Sequence, residues 1–340
     1  MSDDAPVLVE EPEPELQVDG SVNSLPAFLV GNDWSDCRFL DKTEEEENMF
    51  IDASNDHEYE VRGKTYKEDG KKLHTGPAVF RFLIADKIRV ESGQKRHDHI
   101  TSLPGKTQQR VDALKRLPNP PEIMVVNYQY PGTPPISNAA IFVACSSIRT
   151  VSEEDPADVV AYKTLWQRFC SSILDTEEER MALFEGKGLR GWWPSDITWG
   201  DIEEPGVYPH SDFKNTRFKL IPTVLDGNFV VRSVMPGALP CLLGQKIQQR
   251  YFKGNGYIEI NCDVGSSTIA SNIISVLRGY AKYVKCQYCF LLQGDAEHEL
   301  CERVLVTNQV CYVNYDTLDE LDEDLHNVMK SRAVSVSVES

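Results

Sequence analysis

Residues 256–284 read "GYIEINCDVGSSTIASNIISVLRGYAKYV", and this stretch decides the fold class. From Tyr257 to Cys262, apolar and polar residues alternate with the two-residue period of a strand. Gly265, Ser266 and Ser267 then break the pattern, and from residue 268 apolar residues recur at helical spacing. A strand runs through a tight turn into a helix. The junction has two readings. Ser266 or Ser267 caps the free N–H groups of the helix, or the same N–H groups, backed by the helix dipole, bind a phosphate or carboxylate. Asp263 argues against an anion there, and the turn has neither the Lys of a phosphate-binding loop nor the spacing of the three-glycine dinucleotide fingerprint.

Outward from that junction, short extended runs mix with helical ones. "MFIDA", "HEYEVRG", "IMVVNYQYPG", "NAAIFVACSSI", "VKCQYCFLLQ" and "RVLVTNQVCYVNY" have strand character. "FKLIPTV" and "NFVVRSV", separated by Asp226-Gly227, read as a hairpin. "ADVVAYKTLWQRFCSSIL", "TEEERMALF", the Pro-led "PGALPCLLGQKIQQRYF" and "DTLDELDEDLHNVMK" read as helices. Eight or nine strands with helices at irregular intervals predict an α+β fold, a mainly antiparallel twisted sheet with flanking helices.

The 340 residues carry a formal net charge of −18, unevenly placed. Residues 1–60 hold eighteen Asp and Glu against Arg38 and Lys42, so most of the acidity belongs to the leader. Residues 1–47 bury too little apolar surface to offset ordering entropy and are expected to be mostly disordered. They act as a solvating tail or as an internal mimic of phosphate. Residues 48–331 are expected to form one domain and 332–340 a flexible tail. Segment 62–116 leans the other way, with fourteen Lys and Arg against six acids. A basic surface on a near-neutral body attracts phosphates.

Three clusters are candidates for contact with a ligand. In "VRGKTYKEDGKKLH", Arg62, Lys64, Lys71 and Lys72 flank a turn, where they meet an anionic headgroup or, as Lys often does, protect a strand edge from pairing. Arg217 and Lys219 in "FKNTRFKL" are positioned to share one strand face. In "GLRGWWPSDITWGD", Trp192, Trp193 and Trp199 form a membrane-interface foot or cover a core.

Chemistry beyond binding has little support. The nine Cys are an odd number, mostly within apolar runs, which is the usage of a reducing compartment. Cys286 and Cys289 form a CxxC, but on a strand they point to opposite faces, so no metal centre is expected. No GxSxG elbow or HExxH pair occurs. His97 and His99 belong to no motif, and nothing places Cys241 beside His210 or His298 as a nucleophile and base. The N-terminus lacks the basic region and apolar core of a signal peptide. No run of about 18 apolar residues is present to span a bilayer. The chain is therefore expected to be a cytoplasmic non-enzyme, peripheral at membranes, with no cofactor and no nucleic-acid partner.

Taken together, "VRGKTYKEDGKK" at 61–72, "MVVNYQYPG" at 124–132, "FKNTRFKLIPTVLDGNFVV" at 213–231 and "LLGQKIQQRYFKGNGYIEINCDVGSSTIA" at 242–270 resemble the C-terminal domain of the plant Enhanced Disease Resistance 2 family. The resemblance covers about residues 58–315. The family's "ELPER" is here Glu299-Leu300-Cys301-Glu302-Arg303, with Cys in the Pro position, which predicts a looser turn. In the plant proteins a phosphoinositide-binding PH domain and a lipid-binding START domain precede this one. The acidic stretch ahead of it here is too short for either, so their lipid binding does not carry over. The resemblance implies a domain from a lipid-associated setting. The expected partner is a phospholipid or other lipid, with the basic hairpin on its headgroup and the sheet and helices around its tail. The alternative is a protein-interaction scaffold that uses the leader and the helix at 316–330.

Overall fold

The computed structural model describes residues 49–54, 59–76, 78–89, 100–102, 105–117, 120–132, 135–144, 148, 151–171, 213–235 and 237–315. The leader, the helix expected at "TEEERMALF", the Trp loop, His97, His99, His210, the helix expected at 316–330 and the tail lie outside the described residues. The fold is α+β: among the described residues there are twelve strands and five helices, with the strands in three sheets rather than one.

The first sheet has the order β1 (Met49–Asp52), β12 (Val304–Cys311), β11 (Lys285–Leu292), β7 (Phe218–Asp226), β8 (Cys241–Leu242), all antiparallel. The second has the order β4 (Arg81–Arg89), β6 (Ile136–Ala144), β5 (Glu122–Tyr130), β10 (Tyr257–Asp263), β9 (Gln248–Gly254). It is antiparallel except where β10 lies parallel to β5. The third is the hairpin of β2 (Glu60–Arg62) and β3 (Lys72–His74), whose tip holds one turn of helix, α1 (Tyr66–Asp69). Gly70 closes that turn with φ 68°, a left-handed conformation that costs glycine little.

β5 and β6 are buried along their whole length because the second sheet is covered on both faces. On the outer face, the carboxylate of Glu259 accepts hydrogen bonds from the N–H groups of Ile100 and Thr101 at 2.9 and 2.8 Å. Asp86 on the same face holds Thr107, at 2.7 Å, and Arg110 of helix α2 (Lys106–Lys115). The inner face meets the first sheet, where the Tyr128 ring lies 6.1 Å from Tyr288 and 6.0 Å from Phe290. Those contacts belong to a chain of rings: Phe80, Trp166 and Phe169 of helix α3 (Ala157–Ser171), Phe218, Phe290, Tyr128, Tyr130 and Tyr315. Successive centroids lie 5.1–6.3 Å apart. These are favourable aromatic distances, and the chain ties α3 and both large sheets into one core.

Two stretches fold otherwise than their local pattern predicts. "NFVVRSV" is not the second arm of a hairpin but helix α4 (Phe229–Val234). The side chain of Asn228 caps it by accepting the N–H of Val231 at 3.1 Å, and β7 pairs with β11 and β8 instead. "CLLGQKIQQRYF" is not a helix. It forms β8, a short 3-10 turn and β9, which pairs with β10 from Gln248–Asp263 to Gly254–Tyr257. At Gly244 an added Cβ would lie 2.4 Å from the Asn215 backbone, a close approach that only glycine permits.

The ring chain carries a direct expectation. Phe218→Ala should lower stability by about 3–5 kcal/mol in urea denaturation, since Phe218 is fully buried and stacks on Phe290. A loss below about 1 kcal/mol would mean that the two sheets are not joined through these rings.

Candidate functional site

The cations expected to bind an anion divide into two groups. Arg217 and Lys219, at the start of β7, and Arg62, on β2, converge on the turn at 293–303. Lys219 Nζ lies 2.9 Å from Glu302 Oε1, and the Arg62 N–H donates to Glu302 Oε2 at 3.1 Å. The Arg62 guanidinium reaches the Gly294 carbonyl at 2.9 Å and Asp295 at 3.4 Å. Arg217 pairs with Asp295, and with Glu299 at 3.5 Å, while Arg168 of α3 reaches Glu299 at 3.1 Å. The Arg168 and Arg217 guanidinium groups also stand 4.1 and 4.8 Å from the centre of the Phe213 ring. The two carboxylates serve the turn as well. Glu302 accepts the Gly294 N–H at 3.1 Å, and Glu299 accepts those of Asp295 and Ala296 at 2.8 and 3.1 Å. The turn with Cys301 in the family's Pro position is therefore pinned rather than loose. Burial pulls the Lys219 ammonium below its usual pKa, partly offset by Glu302.

Lys64, Lys71 and Lys72 form the second group, exposed at the hairpin tip. Exposed Lys67 joins them, and exposed Glu68 and Asp69 on the same turn offset part of their charge.

At the opening junction both serine side chains bond to nearby main chain. Ser267 caps helix α5 (Thr268–Gly279) by accepting the Ala270 N–H at 3.3 Å. Ser266 Oγ donates to the Asp263 carbonyl at 2.6 Å and accepts the Gln248 N–H at 2.7 Å, tying the turn to β9. Trp192, Trp193 and Trp199 lie outside the described residues.

Cys286 and Cys289 do face opposite ways: Cys286 packs with Val224, Leu277 and Val284, Cys289 with Tyr59, Val61 and Ile221. Burial pushes the thiols of Cys262 and Cys286 up to about 12 and raises that of Cys241, the reverse of what a nucleophilic thiolate needs. Under α5 lies a cavity of about 40 Å³, walled by Tyr130, Ile274, Leu277, Tyr288, Val310 and Tyr315. Ligand pockets usually measure about 300–1,000 Å³, so this one is small, whereas a more open cleft of about 330 Å³ is lined by Trp166, Cys170, Lys253 and Tyr257.

Sequence reasoning passed over a third surface. Helices α4 and α5 pack through Val231 and Leu277, backed by Val284 and Cys286. On these helices and the segments that follow them, large apolar side chains stand in water: Phe229 is 84 % exposed, Ile269 76 %, Tyr283 69 % and Leu239 65 %. Lys282 and Arg232 are exposed beside them, with Arg278 and Lys285 half-buried. Asp226, opposite Lys285 in the register, is the acid at the end of β7, and it accepts the Tyr312 hydroxyl at 2.8 Å. Part of the signal was legible: residues 264–294 contain Arg278, Lys282 and Lys285 and no Asp or Glu.

This surface and the hairpin tip lie at opposite ends of the first sheet. Tyr59 bonds to Gln287 in the middle of β11, while Arg62 reaches Gly294 beyond its far end, so the tip projects past Phe218 and Leu292. The helices α4 and α5 meet the other end, at Asp226 and Lys285.

A model of the family described as Protein ENHANCED DISEASE RESISTANCE 2, C-terminal, matches residues 52–314. A protein of Arabidopsis thaliana named Protein ENHANCED DISEASE RESISTANCE 2-like is 29% identical over 273 residues, covering 80% of this chain. The chain spans 30% of that relative's length. No solved structure matches.

The pinned turn can be probed directly. Glu302→Ala should cost about 3–5 kcal/mol, because it leaves the buried Lys219 ammonium and the Gly294 N–H without their acceptor. Adding Lys219→Met should recover part of that loss in a double-mutant cycle read by chemical denaturation. Strictly additive losses would show that the two side chains do not interact.

Proposed function

We propose that this chain, which belongs to the Enhanced Disease Resistance 2 C-terminal family, is a non-enzymatic module that binds the anionic surface of a membrane. The observation that carries this reading is the charge around α5. Among the described residues, 264–294 contribute three cations and no acid to a surface where Arg232 also stands exposed, against the exposed carboxylate of Asp226. Each Lys or Arg near an anionic leaflet adds about 1 kcal/mol of attraction. Binding in this reading is to the surface, since the cavity under α5 itself is too small for an acyl chain and the larger cleft beside Trp166 and Tyr257 lies away from these cations.

The module is a peripheral one. Among the described residues no helix is long and apolar enough to cross a membrane. The cysteines described are free, as in a reducing compartment, which supports the cytoplasmic face as its location. Residues 48–331 act as one domain in this reading and the acidic leader as a separate element. The hairpin tip is the weaker contact, because its four lysines are accompanied by exposed Glu68 and Asp69 and by no exposed large apolar group beyond Leu73. It stands at the opposite end of the first sheet from α5.

Flotation of the full chain with vesicles tests the reading. Recovery is expected on vesicles of phosphatidylcholine with added phosphatidylserine, little on phosphatidylcholine alone, and less as salt is raised. Lys282→Glu should reduce recovery on the anionic vesicles. Equal recovery on both vesicle types, or none on either, would sink the proposal.

A further inference from the structure

We infer that the α4–α5 end is a wedge that inserts into the bilayer, with Phe229, Ile269 and Tyr283 entering the boundary between headgroups and acyl chains. The inference rests on the membrane-surface reading and names its site. Three observations lead to it.

The first is how the side chains are held out. Asn228 fixes the first turn of α4. Val231 is thereby committed to the core against Leu277, and Phe229 at the start of the helix is left in water. Ile269 stands out in the same way in the first turn of α5, two residues past the Ser267 cap. Tyr283 follows in the 3-10 turn after α5. None of them supports the fold, yet each is a large apolar group whose transfer out of water is favourable.

The second is the charge at the rim. Arg232 and Lys282 are exposed, and Arg278 and Lys285 are half-buried. Arg232 is anchored by its guanidinium on the carbonyls of Val224, Leu225 and Gly227 at 3.0–3.3 Å, which holds a cation beside Phe229. Arg278 donates to the Pro131 carbonyl at 2.8 Å. An apolar centre with a cationic rim is the pattern of elements that lie in the plane of an anionic membrane. A protein partner of the same apolar fit would gain nothing from a rim whose four cations outnumber Asp226 unless it were itself acidic.

The third is chemistry of residue type. Tyr283 pairs an apolar ring with a hydroxyl, and such rings settle at the membrane–water boundary. Lys282 beside it has a stem long enough to leave its ammonium among the phosphates while Tyr283 sits deeper.

The test compares full-chain variants on anionic vesicles of phosphatidylcholine and phosphatidylserine. Phe229→Asp and Ile269→Asp should each weaken partitioning about tenfold or more. Both positions are exposed, so unchanged thermal unfolding will confirm that the variants fold. A triple change of the hairpin lysines, Lys64→Glu with Lys71→Glu and Lys72→Glu, should leave partitioning within about threefold of the original. Phe229→Trp should show fluorescence quenched by lipids brominated on the acyl chain, beyond the quenching of the unaltered chain. If Phe229→Asp and Ile269→Asp bind as the original does, the wedge is wrong while the membrane reading stands. If the original chain is not recovered on anionic vesicles, both fall. A dimer that Phe229→Asp dissolves, with no quenching at position 229, would assign the face to a second copy and overturn the wedge.

Discussion

Two carboxylates in one turn organise the outer side of the first sheet. Glu299 and Glu302 are almost fully buried, and charge in that setting is tolerated only when it is paired and hydrogen-bonded. Their partners come from β2, from α3, from the start of β7 and from the turn's own N–H groups. The hairpin is thus locked to the sheet at one end by charge, and along its length by Tyr59 and Val61 packing on Cys289 and Ile221. The same pairing decides which cations remain available. Arg62, Arg217 and Lys219 hold the fold together, and the charge left facing solvent gathers elsewhere.

Such a network is not a strong source of net stability, because desolvation of buried ions offsets much of their attraction. Its value is in placement. A hairpin attached only through apolar contacts can slide by a residue pair, whereas Arg62 meets its carboxylate and the Gly294 carbonyl in one register alone.

What the sequence disclosed followed the range of the interactions. The β10–turn–α5 stretch was legible because its determinants are local: alternation, a Ser cap, helical spacing. "NFVVRSV" misled, because three valines favour a strand while the cap on Asn228 and the contact with α5 decide for a helix. "LLGQKIQQ" misled in the other direction, since good helix formers were drawn into β9 by pairing with β10. The cations of the candidate site were visible as residue types. Their fate was not, because Arg62 meets an acid 240 positions further along the chain. The gap in acidic residues from 264 to 294 could be seen, but not the exposure of Phe229 and Ile269 that gives it meaning.

The pairing of β1 with β12 sets the order in which the molecule can be made. Met49 lies opposite Cys311, and β5 lies beside β10 although more than a hundred residues separate them. A chain leaving the ribosome therefore carries an unpaired β1 until β12 has been synthesised, and neither large sheet can close early. Folds dominated by such distant pairings form slowly, and their open strand edges invite association while they wait.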